Sequence, residues 1–128
     1  MATIDERVAA GQHVREQLLG PASSTTAPAQ DPFWSEFSDM MVEWVWGDVW
    51  NRPGLDIKQR SLITMSALAA LGREHELQIH IGAALRLGHT KETVRELLYH
   101  VAFYAGVPTA VIGMRAARAA FAELEGKV

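Results

Sequence analysis

The sequence has 128 residues, 48% hydrophobic and 21% charged, with a formal net charge of −3; this is the size and composition of one globular domain, without the basic footprint that nucleic acid requires. It contains no cysteine, which excludes disulfides, thiolate nucleophiles and cysteine metal sites. The N-terminal stretch is charged and no apolar run approaches the roughly 20 residues that span a bilayer, so the chain reads as soluble and cytoplasmic, with neither a membrane nor nucleic acid as partner.

In chain order, punctuation marks out about six helices and no alternating strand pattern, which predicts an all-α single domain over residues 1–128. Residues 4–19 form an amphipathic helix ended at Gly20-Pro21, and "PASSTTAPAQDP" reads as a linker, so that 1–30 precede a helical core over 31–125. Asp31-Pro32 is an N-cap with proline in the first turn, opening a helix to about Trp50 that carries all four tryptophans. That helix either presents an interface between subunits or fills the core.

After the "NRPGLD" break, Asp56 and Gln59 resemble a capping box for a helix running to Leu71. "LITMSALAAL" is apolar nearly all round, which predicts a central position. A helix over about 74–87 is closed by Gly88, and Thr90 caps the next one, through Tyr104. The last helix starts near Pro108, with an expected apolar face at Val111, Met114 and Phe121 and small residues at Ala110, Gly113, Ala117 and Ala120 that permit close approach.

Glu76 and His80 stand at i and i+4, where helical side chains meet. A carboxylate there would orient the imidazole and raise its proton affinity, as suits a general acid near neutral pH. By spacing alone the pair reads sooner as an ordinary surface contact worth a few tenths of a kcal/mol. His75 and His80 diverge by about 140° on a helix, so no metal site is expected. His100 and Tyr104 make a second i, i+4 pair, either facing the same pocket or packing with their polar tips satisfied. Arg60, entering the apolar helix, needs a carboxylate from the protein or from a ligand, and Arg52 has the same ambiguity. His13 and His89 read as solvated or capping residues, and "GQHVREQLLG" and the arginines of the last helix as solvated faces.

Across residues 46–108 the segments "WGDVWNRPGLD", "RSLIT", "ELQIH", "ALRLG" and "YAGVP" jointly resemble the 4-carboxymuconolactone decarboxylase family; "GQHVREQLLG" is similar to its N-terminal G-x-x-V-R-x-x-x-L-G stretch. The resemblance implies an all-α fold that associates into trimers or hexamers, and a small-molecule carboxylate substrate that loses carbon dioxide without a metal or organic cofactor. The wider superfamily includes alkylhydroperoxidases with a C-x-x-C-x-x-x-H motif. With His80 at that histidine, Arg73 and Glu76 stand in place of the thiols, which excludes that peroxidase chemistry. On this resemblance His80 protonates a dienolate, Glu76 orients His80 and Arg60 anchors a carboxylate. Trp46, Trp50, Arg52, His100 and Tyr104 complete the substrate pocket. Arg86-Leu87 replaces the family's usual N-N, a departure that bears on the substrate. The alternatives are a decarboxylase or isomerase of another carboxylated enone or polyketide-type metabolite, and a non-catalytic oligomeric binding relative.

Overall fold

The computed structural model describes residues 1–20 and 31–126, so the expected 20–31 linker falls largely outside the described residues. Six α-helices, α1 (Ile4–Leu19), α2 (Pro32–Met41), α3 (Ile57–Ala70), α4 (Glu74–Arg86), α5 (Lys91–Ala105) and α6 (Val107–Leu124), account for most of the described chain, which contains no strand. The fold is all-α. Contacts divide it into two compact units that meet in sequence between Ile57 and Lys58.

In the first unit, Thr3 and Glu6 cap α1 reciprocally, satisfying amide groups that the first helical turn leaves without partners. Asp31 caps α2 through the amide of Phe33, ahead of Pro32. The expected single helix to Trp50 is instead broken: α2 ends at Met41, a π-turn covers Val42–Trp46 and a 3-10 turn covers Val49–Asn51. Backbone packing accounts for the irregularity. Gly11 of α1 lies against the carbonyl of Val42 and the amide of Gly47, and Gly47 lies against the carbonyls of Arg7 and Glu43, so a Cβ on either glycine would strike main chain. Across the same seam Arg7 donates to Glu43 from Nε, at 3.2 Å, and from a terminal nitrogen, and covers the ring of Trp44. Of the tryptophans, Trp50 is buried, Trp46 stacks on it at 5.3 Å, and Trp34 and Trp44 are exposed. The helix therefore serves neither role uniformly: one tryptophan is core and two are surface.

The second unit holds a core drawn from four helices, with Met65 and Ala69 on α3, Leu77, Ile81 and Ala84 on α4, Val94, Leu98 and Val101 on α5, and Ala116, Ala117 and Ala120 on α6. α6 packs against both α4 and α5. Its buried face is the small-residue stripe Gly113, Ala117 and Ala120, while Val111 and Met114, expected inside, are exposed and Phe121 is half-buried against the core. The reason is distance: a Cβ on Gly113 would meet Leu98 Cδ2 at 2.5 Å, so the small residues mark the line of closest approach. α3 is less central than its composition predicts, burying one stripe at Ser61, Met65 and Ala69 and leaving Ile63 exposed, as is Leu71 just past its end. Thr90 caps α5 through the amide of Thr93, and Gly106, at φ 100°, separates α5 from α6. Arg115 binds Glu74 at 2.6 Å across α4 and α6. His89 Nε2 lies 3.0 Å from the Lys58 carbonyl, joining the turn after α4 to the start of α3. No helix among the described residues is long and apolar enough to cross a membrane.

Candidate functional site

α4 sets the depth of its two candidate groups by helical phase. With Leu77 and Ile81 pointing fully into the core, His80 lies about 60° round from Leu77 and Glu76 about 100°. His80 is accordingly half-buried and Glu76 exposed. Burial pushes the imidazole below its ordinary titration range, because an apolar environment disfavours the charged ring. The rise in proton affinity expected from Glu76 is thus replaced by a fall set by desolvation. At neutral pH His80 is a neutral imidazole held beside the core.

Arg60 lies in the first turn of α3, half-buried, with its Nε shielded from solvent. Its neighbour Ser61 has a buried hydroxyl without a hydrogen bond among the described residues. His100 and Tyr104 stack at 5.0 Å with their rings 22° from parallel, yet both are exposed, Tyr104 at 82%.

A groove of about 500 Å³ runs between α3 and α5. His100 lines it with Leu62, Ser66, Leu97, Glu92 and Glu96; Arg60, Glu76, His80 and Tyr104 do not. Glu92 and Glu96 give its rim a charge that opposes a carboxylate ligand. Neither glutamate stood out in sequence, although Glu92, Glu96 and His100 recur every fourth residue on one face of α5. In the first unit Trp46 and Trp50 form a stacked pair, and Arg52, exposed, reaches Asp48 at 4.0 Å.

Relatives with known names add evidence that this geometry alone does not hold. The model of the carboxymuconolactone decarboxylase family matches residues 35–120. A 4-carboxymuconolactone decarboxylase from Acinetobacter baylyi is 36% identical over 121 residues, covering 94% of this chain and 90% of the relative. The nitrosuccinic acid decarboxylase npaB of Metarhizium robertsii is 37% identical over 105 residues, 81% of this chain and 73% of the relative. An uncharacterized 15.0 kDa protein of Paracoccus denitrificans is 32% identical over 88 residues, 67% and 65% of the two chains. With a family match over residues 35–120 and a 36% identical relative matched along 90% of its length, the chain belongs to the carboxymuconolactone decarboxylase family.

Proposed function

We propose that the chain is a cytoplasmic, cofactor-independent carboxy-lyase that converts 4-carboxymuconolactone to its enol-lactone in protocatechuate breakdown. The observation that carries the reading is the 36% identity to a decarboxylase of that name along 90% of its length. In this substrate the departing carboxylate sits on a carbon vinylogous to the lactone carbonyl. As the C–C bond to carbon dioxide breaks, its electron pair moves through the ring double bond onto the carbonyl oxygen, giving a dienolate. Return of those electrons to carbon with one proton completes the reaction, so the protein must hold a carboxylate, stabilise an oxyanion and deliver a proton.

Arg60 anchors a substrate carboxylate, His80 protonates the dienolate and Glu76 orients His80. Trp46 and Trp50 supply an apolar wall, with Arg52 as a further carboxylate contact. Tyr104 and His100 are the oxyanion donors, His100 being less suited because Glu92 and Glu96 share its groove. Neutral in the free chain, His80 gains proton affinity when an anionic substrate binds beside it, so on binding it takes up from solvent the proton that it later delivers to the dienolate carbon. The working form is a homo-oligomer, a trimer or hexamer, consistent with the apolar side chains left exposed on α5 and α6.

The similarity to a nitrosuccinic acid decarboxylase favours a second reading, in which another carboxylated acid with an electron-withdrawing group is the substrate. The two reactions share loss of carbon dioxide to a stabilised carbanion and its protonation, the step assigned to His80.

The test is ultraviolet-monitored turnover of freshly generated 4-carboxymuconolactone by the wild type, His80→Ala and Arg60→Ala at matched folded concentration. The proposal expects His80→Ala to lose at least about a hundredfold in kcat and Arg60→Ala to lose about 2–5 kcal/mol in kcat/KM. Absence of turnover in the wild type transfers the assignment to the second reading; full turnover in either variant removes that residue from the mechanism.

A further inference from the structure

The proposed reaction leaves α2 without a role. None of its ten residues is buried, although Phe33, Phe37 and Met40 recur at helical spacing and are 89%, 50% and 50% exposed. With Trp34 they line a depression of about 500 Å³. The charged side chain among those lining it is Glu36, exposed and without an ion pair among the described residues. An apolar helix face of this kind marks a contact surface.

The second unit carries a face of matching length and opposite charge. α5 and α6 pack against one another, joined at Gly106 and pinned at the far end, where Lys91 bonds Glu125 and covers the Phe121 ring. They therefore run antiparallel. One helical turn along this seam from Lys91 and Phe121 stand Arg95 and Arg118, then Tyr99 and Met114, then Phe103 and Val111. All six are exposed, and neither arginine has an ion pair among the described residues. Residues 95–103 rise about 12 Å and residues 33–40 about 10 Å.

Contact between like faces would set each charge against its own copy, whereas α2 on the α5–α6 face sets Glu36 against two arginines. We infer that α2 of one copy seats on the α5–α6 face of a second copy, with Phe33, Phe37 and Met40 covering Tyr99, Phe103 and Met114, and Glu36 meeting Arg95 and Arg118. The pairing rests on the oligomer proposed above and makes its joint head-to-tail, the class of contact from which closed rings are built.

Two variants break one face each, at a highly exposed position and with the sign of charge that the opposite face carries: Phe33→Lys on α2 and Phe103→Glu on α5. Light scattering coupled to size exclusion is expected to give an oligomeric wild type and smaller species for each variant alone, with helical content retained. Mixed in equal amounts, the two variants should form a complex larger than either, because each keeps the face that the other has lost. Glu36→Arg should weaken assembly at least tenfold, and Arg95→Glu with Arg118→Glu added to it should restore assembly. A monomeric wild type removes the oligomer and the pairing together, α2 then being uncovered or covered within its own chain. An oligomeric wild type that Phe33→Lys leaves intact, or a mixture that stays as two components, overturns the pairing alone and assigns the joint to like faces. Should either Phe variant lose helical content, the charge reversal decides: no weakening in Glu36→Arg, or no rescue, overturns the pairing.

Discussion

At the scale of single residues, burial outweighs neighbouring charge. Sequence spacing set His80 one turn from a carboxylate that would raise its proton affinity; burial of the half-buried ring lowers it instead, while Glu76 is exposed. The sign of the pH effect follows. The folded chain holds His80 below its ordinary value of 6.5, so the unfolded chain binds that proton more tightly. This contribution to stability is therefore complete above about pH 6.5 and declines as the pH falls toward the folded-state value. Chemical denaturation across pH 5–8 should show that decline in the wild type and a reduced one in His80→Gln. For catalysis, a substrate carboxylate that raises the proton affinity of His80 should place the alkaline limb of kcat at higher pH than that of kcat/KM. Coincident limbs would show that the bound substrate does not assist protonation.

At the scale of elements, the seam between α1 and the π-turn depends on two glycines. A Cβ added to either would strike main-chain atoms, which cannot move aside as a flexible side chain can. Gly47→Ala should therefore destabilise the protein by about 1–3 kcal/mol or more, read as a lower midpoint in urea. Gly54→Ala, where a Cβ meets nothing within 4 Å, serves as the comparison and should change stability by less than about 0.5 kcal/mol. Gly11 and Gly47 belong to two motifs, "GQHVREQLLG" and "WGDVW", the first ending at Gly20 and the second starting at Trp46. Each motif was visible in sequence, but their contact was not, because no local pattern states which backbone another will approach. The same limit applied to α6, where small residues permitted two faces to be buried and only packing against Leu98 selected one.

At the scale of the whole molecule, the proposed oligomer predicts an interface at the apolar side chains exposed on α5 and α6. Tyr99 and Phe103 are one turn apart on α5 and Val107 and Val111 one turn apart on α6, with Phe103 91% exposed. Contiguous apolar surface of this kind marks interfaces. Light scattering coupled to size exclusion should give a trimer or hexamer, and Phe103→Glu should shift it to smaller species with helical content retained. A wild-type monomer at micromolar concentration would remove the oligomer from the proposed function.

The sequence by itself determined the helical class, five of the helices to within a few residues, and the family, because periodicity, caps and motifs are local properties. Thr90, Asp31-Pro32 and the glycine before Pro108 place helix ends through hydrogen bonds made within a few residues. Only the tertiary structure decided that the aromatic helix breaks into a π-turn, that α3 buries a single stripe, that His80 is a desolvated neutral imidazole, and that no residue of α2 is buried. Each of these depends on which surface a distant segment covers, and burial changes both the titration of a group and the space around it.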